Sequence, residues 1–490
     1  MRLLCNRSLL LGYVPDSQKC ALVFPTIKKP GLDTHDPLNF RPISNLSFLS
    51  KTIEQLVIHR LLPYLERSGL LPSFQSGFRS HHSTETVLLK LLSDTYLAMD
   101  RSELTLLALF DVSAAFDTVD HSILLHRLHT SFGIQGVPLQ WFTSYLTNRS
   151  QMVVMGDSRS EWSPIQFGVP QGSVLGPLLY LLYTSDLSAI LNSGGLSAHL
   201  YADDTQAYIH GPVNSQISLV QTILQVQDFL SSWMSSNRLC LNNNKTQLIW
   251  LGSKHLLSKI DYSILNSHFP GVVFQSCVKN LGVILDSSLS FADHLSRLTR
   301  ISFYHLKQLR VIRSSLSLET AKALTHAFIA SRLDYCNSLL LGLPKSSLSG
   351  LQSVQNAAAR LIGRFSRFSH ISHYLHSTLR WLPVSDRIEF KILTMVSNSL
   401  SGNAPAYLSD LLLPPFSSTS RAPLRSASRV DLRVPSTRSS LARYRSFAAA
   451  SPFLWNKLPA SLRQSLVKCH SYSQLKTFFF TRNTKDSQRF

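Results

Sequence analysis

Apolar residues recur along this chain in short blocks whose spacing switches between strand and helix. Residues 19 to 30 (KCALVFPTIKKP) alternate apolar with small positions, then break at a basic pair and a proline, which predicts a strand running into a turn. From Ser47 onward, Leu49, Ile53, Leu56, Val57, Leu61 and Leu65 fall at helical spacing, and Pro63 predicts a break or kink near the end. Residues 83 to 98 give a second amphipathic helix that Ser83 or Thr84 can cap. LTLLALFDV (104 to 112) is a short apolar run flanked by polar residues, a buried strand ending in a carboxylate. Helices are expected at 120 to 129, 137 to 147 and 176 to 191. HLYADDTQAYI (199 to 209) reads as a hairpin with Asp203 and Asp204 at its turn. A helix over 216 to 236 and two short strands, TQLIWLG and KNLGVIL, follow. After Ser288 the pattern is helical at 292 to 312, 317 to 334 and 348 to 364, while 412 to 440, rich in Ser, Pro and Arg, predicts a loose linker. Strands and helices in this mixed order imply the α+β class.

At 490 residues the chain exceeds one ordinary core, so two to four domains are expected. Its 48 Lys and Arg against 28 Asp and Glu give a net charge of +20, which points to a polyanionic partner. The excess is concentrated at one end: residues from Ser346 on hold 20 basic and 5 acidic side chains, and those before it 28 and 23. An acid-bearing part followed by a basic part suits an enzyme that holds nucleic acid with its tail. The six cysteines are scattered without a C-x-x-C pair, which argues against a zinc site or a disulfide framework and favours a reducing compartment. The opening MRLLCNRSLLLGYV is interrupted by Asn6, Arg7 and Ser8, unlike a signal peptide, and no run of about 18 apolar residues suggests a membrane span.

The acids carry the chemical signal. Nucleotidyl transfer uses two divalent cations about 4 Å apart, one at the attacking 3′-hydroxyl and one at the leaving pyrophosphate. Hard cations take oxygen ligands, so carboxylates must converge from rigid elements. Asp111 at a strand end and Asp203 with Asp204 at a hairpin turn form such a set if their strands are neighbours. Two acids in a turn are by themselves an ordinary solvated loop; the pairing with Asp111 is what gives them meaning.

Longer strings surround them. FDVSAAFDTVDH (110 to 121), GVPQGSVLGPLLY (168 to 180) and HLYADDTQAY (199 to 208) resemble, in order and spacing, motifs A, B and C of reverse transcriptases. NFRPISNLSFLSKTIE (39 to 54) and QSGFRSHHSTET (75 to 86) resemble the fingers motifs, and LNNNKTQLIWLG (241 to 252) and KNLGVIL (279 to 285) the D and E motifs. LDYCNSLLLGLP (333 to 344), LQSVQNAAARLI (351 to 362), WLPVSDRIEFKIL (381 to 393) and LWNKLPASLR (454 to 463) resemble the tail of non-LTR, LINE-type elements of the jockey and chicken-repeat-like lineages. The resemblance implies a right-hand polymerase with fingers in 1 to 105, palm in 106 to 288, helical thumb in 289 to 345 and a basic, mostly helical C-terminal region in 346 to 490. It also implies an RNA-directed DNA polymerase using two Mg2+ ions, with Mn2+ as the alternative, on an RNA template, a DNA primer and dNTPs. The expected setting is a nuclear or cytoplasmic ribonucleoprotein. Full-length elements carry an upstream endonuclease, and since this chain starts almost at the fingers, that domain is expected to be absent. The rival reading is an inactive or domesticated nucleic-acid-binding relic of the same fold.

Position by position, the resemblance makes Asp111 and Asp203 the metal-bridging acids, Asp204 the third acid, and the Val112 carbonyl an extra ligand. Phe116 takes the place of the aromatic that excludes a ribose 2′-hydroxyl, and Gln171 and Gly172 the turn beside the incoming nucleotide. Arg41 matches a triphosphate-gripping arginine, with Lys28 or Lys29 as a second contact, and Lys245 matches the lysine proposed to protonate pyrophosphate. Asp117 and Asp120 are read as structural, capping the next helix. In the tail, Arg360, Arg364 and Arg367 are expected near one helical face as phosphate contacts, with a solvated face as the alternative.

Overall fold

The computed structural model describes residues 2–113, 116–413, 430–469 and 472–487. They pack as two compact units. The first comprises Met1–Arg79, Ala108–Tyr208 and Gln221–Thr246, and the second Ser80–Leu107, Ile209–Val220 and Gln247–Phe490. The second unit thus joins residues 80 to 107 to the C-terminal half of the chain. Among the described residues no helix is long and apolar enough to cross a membrane.

The strands, in chain order, begin with β1 (Cys20–Ile27), β2 (Phe40–Asn45), β3 (Leu104–Phe110) and β4 (Val112–Ser113). β5 (Arg149–Met155), β6 (Ser158–Arg159), β7 (Ser163–Ile165), β8 (Ser197–Tyr201) and β9 (Asp204–Gly211) come next. Last are β10 (Cys240–Leu241), β11 (Gln247–Leu251), β12 (Phe274–Gln275), β13 (Cys277–Asn280) and β14 (Val283–Asp286). In the first unit β1 pairs antiparallel with β2 and parallel with β5, which in turn pairs with β6 and β7. The sequence reading missed β2 and the whole β5 to β7 stretch, because polar residues interrupt their alternation. A second sheet places β9 between β3 and β8, and a two-stranded ladder joins β4 to β10. β3 is buried at six of its seven positions, as its apolar run foretold.

Two helices of the first unit start where a side chain accepts from free amides. Ser47 caps Phe48–Arg67, and Asp120 caps His121–Thr130 through Ser122 N and Ile123 N. The Phe48–Arg67 helix passes through Pro63 rather than ending there, held by buried Leu61 and Leu65 on either side. The expected helix at 176 to 191 is two, Gly176–Tyr183 and Leu187–Ser193.

The second unit opens with Thr84–Asp100, whose cap is Ser83 in a full capping box with Thr86. KNLGVIL is not one strand but the bend of a hairpin: Asn280 pairs with Val283 across Leu281 and Gly282, both at positive φ. Helices Ala292–Ile312, Leu318–Thr325 and Lys345–Gly363 follow, with a π-helical turn at His326–Ala330 before Ser331–Asp334. The tail string 333 to 344 is a packing hub. Buried Glu85 accepts from Ser338 N at 3.0 Å and from its Oγ at 2.6 Å, and pairs with Lys391 at 3.1 Å.

Further on, the described C-terminal residues are helical and share a core through Ile392, Val396, Phe447, Trp455 and Phe479. Of the expected linker, 414 to 429 lie outside the described residues. The part from Val430 on is pinned, Leu432 exchanging two hydrogen bonds with the Asn456 side chain and Ser439 N donating to Asp100 at 2.6 Å.

Candidate active site

Asp111 follows the last residue of β3, where the buried strand fixes its backbone and leaves its side chain half-exposed. Its carbonyl accepts from Asn242 N at 2.8 Å. The β4–β10 ladder, with Val112 opposite Leu241, thus sets a single helical turn, Asn243–Lys245, beside the strand end. Lys245 Nζ donates to Asp111 Oδ2 at 2.9 Å. On the β8–β9 hairpin Tyr201 pairs with Asp204, so Ala202 and Asp203 form the turn, Ala202 in the left-handed region at φ 57°. Such a two-residue turn matches the strand twist but strains a residue bearing Cβ.

The electrostatics tie these groups together. Burial pushes the Asp204 carboxyl up to about 6, the negative charges of Asp203 and Asp111 push the same way, and Lys245 opposes them. Burial also raises Asp203, as does Asp111, against the cations Lys245 and Arg41. Four residues from three distant segments of the chain therefore act as one charged cluster, with more negative charge than its lysine offsets. Among the described residues no three of His, Cys, Asp and Glu form a group that could hold a metal ion as they stand. The donor chemistry nonetheless suits a hard divalent cation: oxygen ligands only, with the Asp203 and Asp204 carboxyls held above their ordinary range first by burial and then by neighbouring negative charge.

The nucleotide-side residues gather in a second group. Gln171 Nε2 donates to Asp117 Oδ2 at 2.9 Å, and the Asp117 carboxyl is raised by burial against that bond and the charge of Lys28. Asp117 is therefore no helix cap; Asp120 alone fills that role. Ser44 N donates to Gln171 O at 2.6 Å, and Gly172, at φ 118°, packs so tightly that a Cβ would lie 2.5 Å from Ser44 O. The Phe116 ring rests on Tyr180, centroids 5.1 Å apart. Arg41 is exposed on β2 opposite Thr26, whereas Lys28 donates to Leu38 O at 2.7 Å.

The tail arginines are not brought to one face. Helix Lys345–Gly363 stops before Arg364, which turns left-handed at φ 55°. Arg360 donates to Ser369 O and Arg364 to Ser314 O and Arg313 O, while Arg367 lies over Phe368 at 5.9 Å. Two of the three are thus occupied as caps of backbone carbonyls.

Sequence reasoning passed over Glu54. It is 1% exposed, and its carboxylate accepts from Val174 N at 2.6 Å, Leu175 N at 3.2 Å and Tyr145 Oη at 3.2 Å. It holds the two residues that lead into the helix Gly176–Tyr183 and so anchors the loop that carries Gln171. Burial holds its carboxyl above the ordinary range. The signal was available: an acid adjoining the apolar stripe of Ile53, Val57 and Leu61.

The profile of the family described as reverse transcriptase (RNA-dependent DNA polymerase) matches residues 27–285, more than half of the chain. The protein belongs to the reverse transcriptase family, with its right-hand polymerase fold. Its relatives place it with the LINE-type members. It is 31% identical over 376 residues to a probable RNA-directed DNA polymerase from transposon BS of Drosophila melanogaster, covering 74% of this chain and 40% of that protein. It is 28% identical over 380 residues to the RNA-directed DNA polymerase from mobile element jockey of Drosophila funebris, covering 74% and 39%. The chain thus spans about two-fifths of the length of these curated relatives. Apo telomerase from Candida tropicalis superposes with a TM-score of 0.42 at 12% identity, over 71% of this chain and 58% of that one.

Proposed function

We propose that this chain is an RNA-directed DNA polymerase that adds deoxynucleotides to a primer 3′-hydroxyl. The observation that carries the reading is the coupling of Asp111, Asp203, Asp204 and Lys245 into one electronegative cluster at a strand end and a hairpin turn. Asp111, Asp203 and Asp204 would hold divalent cations, Mg2+ in our reading with Mn2+ able to substitute, together with the Val112 carbonyl. When bound, such ions lower the pKa of the attacking hydroxyl and neutralise charge on the leaving pyrophosphate.

The chain's own groups do the rest. Arg41, exposed and near enough to act on Asp203, offers a guanidinium to the triphosphate, with Lys28 as a weaker second contact because its ammonium already serves Leu38 O. Gln171 gives its amide N–H to Asp117, leaving its carbonyl oxygen to accept from the bound nucleotide or template. Phe116, backed by Tyr180, presents a rigid wall against a 2′-hydroxyl. Lys245 supplies the proton for pyrophosphate. The fingers, palm and thumb boundaries, the RNA template and DNA primer, and a ribonucleoprotein setting belong to the same proposal.

Primer extension on an RNA template, wild type beside Asp203→Asn, is the test. Extension by the wild type and its loss in the variant is the expected result. No extension by either, with template still bound, would favour the nucleic-acid-binding relic instead.

A further inference from the structure

The string QSGF (75 to 78) is used by none of the chemistry above, yet it lies along the strand that enters the Ala202–Asp203 turn. Ser76 N donates to Leu200 O at 2.9 Å, and Leu200 N to Phe74 O at 2.8 Å. Gln75 and Leu200 form an isolated parallel bridge, and Ser76 Oγ and His199 Nε2, both buried, are bonded at 2.9 Å. The Gln75 side chain, 3% exposed, reaches past the strand to the turn itself. Its Oε1 accepts from Ala202 N at 3.0 Å and from Gly77 N at 2.8 Å, and its Nε2 donates to Ala202 O at 3.3 Å. Approach this close needs a glycine: a Cβ on Gly77 would stand 2.3 Å from Ala202 N and 2.8 Å from its Cα.

We infer that Gln75 is a positioning residue for the polymerase reaction, clamping both backbone groups of Ala202 and so fixing the direction in which Asp203 projects. Ala202 sits in a backbone conformation that L-residues avoid, and left alone it would relax toward negative φ. Rotation there swings the next residue, because the planar peptide unit that begins at the Ala202 carbonyl carries Asp203 N and Cα with it. A primary amide suits the task, since it offers an acceptor and a donor in one plane. Glutamate keeps only the acceptor, and methionine keeps the volume with neither.

The inference rests on the polymerase reading for its kinetic consequence and on geometry alone for the clamp, and the experiment separates the two. Gln75→Met, Gln75→Glu and Gln75→Met with Ala202→Gly are compared with the wild-type chain by hydrogen–deuterium exchange over residues 199 to 204 and by primer extension. Loss of the clamp in Gln75→Met should speed exchange at Ala202 on the order of tenfold. It should lower kcat by roughly ten- to a hundredfold while the dNTP KM stays within about twofold. Gln75→Glu should fall between wild type and Gln75→Met. Ala202→Gly, which removes the strain that the clamp opposes, should restore part of the lost kcat, a rescue that general loss of packing would not show. Unchanged exchange and kcat in Gln75→Met, or lost kcat with exchange at 199 to 204 unaltered and no rescue, would overturn the inference. A wild-type chain that extends no primer overturns the polymerase reading, while the exchange measurement still decides whether Gln75 clamps the turn.

Discussion

Cation binding at the acid cluster should expel protons near pH 6 and almost none at pH 8. The Asp204 carboxyl stands at about 6, first through burial and then through the charges of Asp203 and Asp111. A divalent cation takes the carboxylate form, so it must displace whatever proton Asp204 holds. That is about half a proton at pH 6, about a tenth at pH 7 and about a hundredth at pH 8. Asp203, raised as well, adds to the release at the acid end. Below pH 6 the apparent affinity for Mn2+ should fall by about tenfold per pH unit for each proton displaced. Isothermal titration of MnCl2 in two buffers of different ionisation enthalpy counts the protons, and Asp204→Asn should leave only the portion due to Asp203. A stability effect follows with a definite sign. The folded value lies above the ordinary 3.8, so the contribution to stability is full below about 3.8 and is lost as pH rises through about 6. Without cation, the wild type should weaken toward neutral pH relative to Asp204→Asn. Because the Asp204 side chain is partly open to water, screening reduces that difference to on the order of 1 kcal/mol. Equal proton release from wild type and Asp204→Asn at pH 6 would refute the argument that burial and neighbouring negative charge hold the Asp204 proton until a cation displaces it.

Substitutions at three further residues have expected outcomes. Glu54→Ala strands two backbone amides and the Tyr145 hydroxyl, and should cost about 3–5 kcal/mol in urea denaturation. Glu54→Gln should cost far less and gain on the wild type as pH rises above the ordinary glutamate range, since the folded carboxyl is held up by burial. Lys245→Ala removes the counter-charge of Asp111, so the proton release described above should shift to higher pH, while kcat falls more than dNTP KM rises. Arg364→Ala should lower stability by about 1–3 kcal/mol through two lost carbonyl contacts and leave RNA affinity at 0.1 M salt unchanged. A weaker RNA complex with unaltered melting would return Arg364 to the phosphate-binding role.

What one dimension determined was local and chemical. The apolar run before Asp111 made a buried strand, the hairpin around Asp203 and Asp204 formed with its turn one residue earlier than expected, at Ala202 and Asp203, and Ser83 and Asp120 sat where helix amides lack partners. Each depends on neighbours a few residues away, so periodicity and side-chain chemistry suffice. The resemblance of ordered motifs supplied the family and pointed to Lys245 near the acids. What only the fold decided were contacts between distant segments. Glu54 reaches the loop at Val174, Asp117 takes the amide of Gln171, Arg364 bonds to carbonyls fifty residues upstream, and Gln75 holds the turn that aims Asp203. A buried polar group must find its hydrogen-bond partner wherever the packing brings one, and no spacing rule along the chain encodes that address.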